Sequence, residues 1–281
     1  MDWFVAAIVS AVVLSGQLLA FQQLQKFYPI RVYMTYIWLG AALMLAIVFL
    51  RPEDVPAILT NLIPLIVAGL SSWGGIYALN QAMKTQTNLG YIEAVMAIRI
   101  VITYIISLLA FQAPFDLLRL VGIIAITLGV LAVAGTIRIR MDEFKLDWLP
   151  WALTAGVMFA LMTIFVRFAT DGGVSAEVAT VVVLVVAGIA FLAACRVEGL
   201  SLRLNRRHLL LVGVTIAFAT VGNAAEFISF EHTPNLAYSI AIDNTRMIIL
   251  YIIGLLLFSE KLQRRKAFGV ILTFAGVLLL S

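Results

Sequence analysis

Two arginines, Arg99 and Arg246, each stand in the middle of a long apolar run, and acidic residues lie close to both: Glu93, Glu226 and Asp243. An ionised side chain at the centre of a bilayer costs at least ~2.5–3.5 kcal/mol, so five left unpaired would cost roughly 12–18 kcal/mol. That is comparable to the whole stability of a domain. These groups must face one another, water or a ligand. Asp243 and Arg246 are three residues apart, about 60° around a helix, and can pair locally. Glu93 and Arg99 are six apart and point about 120° away from each other, so each needs a partner on another helix. Glu226 is a candidate partner for either arginine. Guanidinium forks suit carboxylate or phosphate oxygens, and the mixed signs predict a polar cavity for a small zwitterionic or anionic, amino-acid-like molecule. The competing reading is an ion-pair network that only fixes helix packing. Tyr77, Asn80, Gln81, Tyr91, Asn223, Tyr238 and Asn244 fall at positions compatible with such a cavity. Any single Asn or Tyr among them is more often an interhelical hydrogen-bond former than a ligand contact.

The elements that must carry these residues follow from composition. Of 281 residues 63% are hydrophobic and 12% charged, about half the charged share of a soluble domain. Lipid is therefore the solvent. A lipid-crossing helix needs roughly 20 mostly apolar residues. Ten windows meet that length, near 3–22, 32–50, 58–81, 88–111, 117–136, 148–168, 175–195, 207–229, 235–258 and 265–280. Proline and glycine punctuate the short connections, as at Tyr28-Pro29, Ala113-Pro114 and Thr233-Pro234, where water can satisfy the freed backbone. The first run is longer than a signal-peptide core and is followed by glutamines rather than a small-residue cleavage site. The sequence predicts an all-α integral membrane protein.

Residues 88–132 align without gaps on 235–279 at an offset of 147, with 17 identities over 45 positions. Asn88-Leu89-x-Tyr91 falls on Asn235-Leu236-x-Tyr238, Arg99 on Arg246, Tyr104 on Tyr251, and Gly122 and Gly129 on Gly269 and Gly276. Polar residues recurring in register are harder to attribute to chance than aliphatic ones. The expected organisation is a first five-helix repeat over 1–136, a linker over 137–147 and a second repeat over 148–281. An odd number of spans per copy makes the repeats inverted, the arrangement of many secondary transporters. The two arginines would then converge across a pseudo-twofold axis.

Ten helices in two five-helix copies, with Phe258-Ser259-Glu260-Lys261-Leu262 followed by Gly269-Val270-Ile271 and Gly276-Val277-Leu278, resemble the drug/metabolite transporter superfamily, in particular its EamA type. The resemblance implies alternating-access transport of a small molecule. Two departures stand out: Gln112-Ala113-Pro114 replaces the acidic loop residue in the first copy, and Met96 to Arg99 and Asp243 to Arg246 occupy the region where family members commonly carry a proline in the middle of the fourth and ninth helices. Those departures favour a charged central cavity over an apolar one.

Other functions find little support. No Gly-rich loop ending in Gly-Lys-Ser/Thr is present, so the energy for transport would come from an ion or solute gradient. Protons on Glu93, Glu226 or Asp243 are one coupling route and exchange is another. His208 and His232 stand at helix ends and Cys195 has no histidine near it in sequence, so no catalyst or metal set is nominated and no cofactor is expected. The 19 Lys and Arg are dispersed among apolar runs, which speaks against nucleic acid. The remaining rival is a lipid scramblase or passive channel sharing the same polar groove. Of the 17 basic residues other than Arg99 and Arg246, 14 lie in odd-numbered connections and three in even ones. Basic loops stay in the cytoplasm, so a cell-membrane (inner-membrane) location with both termini outside is expected, whereas the family usually has both inside.

Overall fold

A computed structural model describes residues 2–85, 92, 95–134, 146–257 and 263–281. Among them the regular structure is helical throughout. The helices are α1 (Trp3–Leu24), α2 (Ile30–Phe49), a short α3 (Val55–Thr60), α4 (Leu62–Thr85), α5 (Ile98–Ala110), α6 (Leu117–Ala134), α7 (Leu149–Asp171), α8 (Ala176–Val197), α9 (Leu209–His232), α10 (Leu236–Asp243), α11 (Arg246–Leu257) and α12 (Arg264–Leu280). Seven described stretches are long and apolar enough to cross a membrane: α1, α2, Leu62–Lys84, α7, α8, Arg206–His232 and Leu236–Ile253. Their outer faces are greasy, with Ile47, Ile63, Leu109 and Leu256 all at least 75% exposed, as lipid-facing positions must be. Hydroxyls inside these helices bond back to the carbonyl one turn earlier, as Ser15 does to Ala11 and Thr180 to Ala176. These two donors are thereby satisfied in an apolar surrounding.

Two compact units form, one from residues 1–74 and 161–232, the other from 75–160 and 233–281. Each draws on both halves of the sequence, so the units are not the two sequence copies. The linker placed at 137–147 lies, up to residue 145, outside the described residues.

In the first unit α1 packs along α9 and α2 along α8. Its two ends are tied by polar bonds between connections. At one end Tyr28 Oη accepts from the Asn205 N–H and bonds His208 Nδ1, both at 2.8 Å, and Arg31 pairs with Glu198 at 2.7 Å. At the other, Asn61 Nδ2 donates to the Gly172 carbonyl (3.0 Å) and Arg167 to that of Phe230 (2.9 Å).

In the second unit the dominant contact is α6 on α12, and glycines set its closeness. A Cβ on Gly122 would lie 3.0 Å from the Gly276 carbonyl oxygen and one on Gly276 2.7 Å from that of Gly122; for Gly129 and Gly269 both values are 2.6 Å. The backbones touch where any side chain would separate them. The contacts are also reciprocal. Under the offset of 147, position 122 meets the counterpart of 129 and position 129 the counterpart of 122. Likewise Ile126 meets Gly276 while its counterpart Thr273 meets Gly129, and Ala132 meets Gly269 while its counterpart Leu279 meets Gly122. Such exchange of partners is what a twofold relation between two antiparallel helices produces.

Candidate functional site

The predicted ninth window is not one helix. It is split into α10 and α11 at Asn244-Thr245, and the split begins one residue after a charged one, Asp243. Asparagine and threonine are poor helix-interior residues, and here the ladder tightens: Thr245 N–H bonds the Ile242 carbonyl (2.9 Å), Met247 that of Asn244 (3.3 Å) and Ile248 that of Thr245 (2.8 Å). A three-residue hydrogen-bond pattern in mid-helix commonly marks a functional hinge. In the first sequence copy the matching position is Ala97, which is a turn residue and the N-cap of α5, with Ile100 N–H bonding its carbonyl at 3.0 Å. Both copies therefore interrupt their helix at the same place.

The start of α10 is buried, and its first donors would be costly if left unmet. Asn235 Oδ1 accepts from the Ala237 N–H (3.0 Å), Ser107 Oγ on α5 accepts from that of Leu236 (3.1 Å), and Thr233 Oγ1 donates to the Asn235 carbonyl (2.9 Å). The recurring Asn-Leu-x-Tyr thus supplies a cap in its second occurrence. Every residue of α10 is buried.

These two interrupted helices bring together four of the residues singled out in the sequence. Asp243 Oδ2 lies 3.4 Å from Arg99 Nη2 and 3.2 Å from Arg246 Nη2, so two guanidiniums share one carboxylate oxygen. Arg99 also donates to Asn244 Oδ1. Arg99 is 5% exposed, Asp243 2% and Asn244 7%. Arg99 takes its partner from another helix and Arg246 pairs locally, as the spacing requires. The acid that both arginines meet is Asp243. Among the described residues, Arg99 Nε and Asp243 Oδ1 have no hydrogen-bond partner. A buried donor and a buried acceptor, each on an ionised group, are thus left open within one cluster, which is costly in a water-excluded interior.

The other predicted site residues fall differently. Glu93 and Tyr91 lie outside the described residues. Tyr238 is fully buried, with the Arg119 guanidinium 5.5 Å from its ring centroid, and Arg119 in turn pairs with Asp116 at 3.5 Å. Tyr77 sits edge-on to Trp151, with ring centroids 6.2 Å apart. Asn80 and Gln81 are half-buried on the same helix. Asn223 and Glu226 are buried on α9 in the first unit, where Asn223 Nδ2 donates to the Ala219 carbonyl within its own helix (2.7 Å).

Sequence reasoning gave Ser107, Asn235 and Arg119 no role at the site, Asn235 entering only through the repeated Asn-Leu-x-Tyr. The position of Asn235 just after Thr233-Pro234 was a readable cap signal. Nothing in the sequence places Arg119 over Tyr238 or Ser107 beneath α10.

Residues 146–281 match the model of the EamA-like transporter family. No curated protein matches the chain. Twenty-eight chains of solved structures do match; one crystal structure aligns with a TM-score of 0.73 at 12% identity, over 99% of this chain and 96% of that one. At that identity the likeness is one of fold.

Proposed function

We infer that this chain, a membrane transporter of the drug/metabolite superfamily by its EamA-like second half, works as a secondary active transporter that carries a small zwitterionic or anionic metabolite by alternating access. The observation that carries this reading is the buried cluster of Arg99, Asp243, Asn244 and Arg246 at two matching helix interruptions. Interrupted helices with ionisable residues at mid-depth are where secondary transporters hold their cargo. The open Nε of Arg99 fits a carboxylate or phosphate oxygen of the cargo. The open Oδ1 of Asp243 fits an ammonium or hydroxyl donor. The hydrogen-bond tightening at Asn244-Thr245 gives α10 and α11 a joint about which to tilt.

The reciprocal contacts of α6 and α12 support reading the whole chain as two inverted five-helix repeats. Such repeats can exchange conformations and open the site to each face in turn. Protons on Asp243, Glu93 or Glu226, or exchange of one solute for another, would supply the energy. For the inner membrane, the charge rule places the odd-numbered connections in the cytoplasm and both termini outside.

The test is a metabolite screen by thermal shift, followed by counterflow in vesicles. A ligand held at a hundred times its Kd stabilises the fold by ~2.7 kcal/mol. The reading expects such a ligand to be taken up saturably and to accelerate its own exchange from the opposite side. Passive, non-saturable flux, or lipid scrambling with no solute exchange, would replace it with the channel or scramblase reading.

A further inference from the structure

The two ends of the first unit differ in charge. At one end the connections Gln25–Pro29 and Glu198–Asn205, with the helix termini beside them, carry Lys26, Arg31, Arg196, Arg203, Arg206 and Arg207 against one acid, Glu198, which is held by Arg31 at 2.7 Å. At the other end Glu53, Asp54, Asp171, Glu177 and Glu231 outnumber Arg51 and Arg167. Among the described residues, Arg196, Arg203, Arg206 and Arg207 have no carboxylate partner, and all four are exposed.

The basic end is also built rather than loose. Tyr28 bonds both Asn205 and His208, the Tyr36 hydroxyl donates to the Leu202 carbonyl, and Phe27 stacks on His208 with ring centroids 4.1 Å apart. These bonds fix the two connections to each other. Beside the arginines stand apolar residues that face outward: Phe27 at 53%, Val197 at 88%, Leu209 at 52% and Leu210 at 80% exposure. Exposed arginines interleaved in sequence with exposed aliphatic and aromatic side chains at one end of the unit match the profile of a phospholipid, with phosphate at the boundary and acyl chain below it.

We propose that this end of the first unit is a docking surface for the headgroup of an anionic phospholipid, gripped through Arg196, Arg203, Arg206 and Arg207. Charge complementarity identifies the occupant. Unpaired arginines bind phosphate oxygens in bidentate fashion, and the adjoining apolar residues have no use for a soluble anion but seat an acyl chain. The proposal is independent of the cargo site, which lies in other residues.

The experiment counts lipids that stay with the whole protein, by native mass spectrometry, after release from vesicles of phosphatidylcholine with and without phosphatidylglycerol. Wild type is expected to keep phosphatidylglycerol over phosphatidylcholine, with each arginine contributing about five-fold at low salt. Arg203→Gln/Arg206→Gln/Arg207→Gln should lose that preference while melting as wild type does in phosphatidylcholine alone. If the triple variant fails to fold, Arg207→Gln alone should still lower the preference about five-fold. Arg51→Gln, at the acidic end, should leave it intact. Equal retention of the two lipids by wild type, unchanged preference in the variants, or displacement by inorganic phosphate as complete as by free phosphatidylglycerol would overturn the proposal.

Discussion

Neutralising Asp243 is the perturbation whose outcome the geometry constrains most tightly. Its Oδ2 lies 3.4 Å and 3.2 Å from two guanidinium nitrogens, and the residue is 2% exposed. At an effective dielectric of about 20, each of those attractions is worth about 5 kcal/mol. Mutual repulsion of the arginines and the desolvation of all three groups offset much of that. Removing one partner of a buried ion pair costs about 3–5 kcal/mol, because the other charge stays behind uncompensated. Asp243→Asn keeps the shape and removes the charge, so it should destabilise the detergent-solubilised protein by about that amount. Adding Arg99→Met removes one of the stranded charges, and the double variant should regain about 1–3 kcal/mol relative to the sum of the single changes. Denaturation of the four proteins closes the cycle. Additive effects, or an Asp243→Asn protein as stable as wild type, would show that Arg99 and Asp243 do not share a field, and the reasoning from their distance would fail.

Several further outcomes are expected. Gly129→Ala and Gly276→Ala should each cost about 1–3 kcal/mol, because a methyl there strikes the facing backbone, whereas Gly213→Ala, with nothing within 4 Å, should be neutral or stabilising by up to ~1 kcal/mol; thermal melting separates the two classes. Tyr28→Phe should leave the Asn205 N–H and His208 without their shared partner and lower stability by about 0.5–1.5 kcal/mol, read the same way. Ser107→Ala should cost about 1 kcal/mol by baring the Leu236 donor, with little effect if water reaches that N–H. A reporter fused after Ser281 should be active outside the cytoplasm, and cytoplasmic activity would reverse the proposed orientation without touching the fold.

The helices were legible because lipid imposes a simple rule: each crossing must satisfy its own backbone and be apolar outside. Helix is found in each of the ten windows, with seven described stretches long and apolar enough to cross, and the charges that rule forbids drew attention to Arg99, Asp243 and Arg246, which the structure brings into contact. The shared oxygen of Asp243 was not legible, since spacing along one helix says nothing about what a second helix brings opposite it. The two helix interruptions differ in this respect. Asn244-Thr245 carries residue types that disfavour a helix interior, a signal the single window over 235–258 passed over, but Ala97 is the best of helix formers and carries no such signal. The compact units were equally hidden, because α4 and α7 pass from one to the other without a change in composition.

The central claim is that Arg99 and Arg246 hold the transported molecule, and counterflow of an identified ligand in vesicles containing Arg99→Gln or Arg246→Gln measures it most directly. Exchange should disappear in both variants while each stays folded and inserted, and the ligand should no longer raise the melting temperature of either. Undiminished exchange and an unchanged ligand shift in both would leave the cluster as a structural brace and move the site elsewhere.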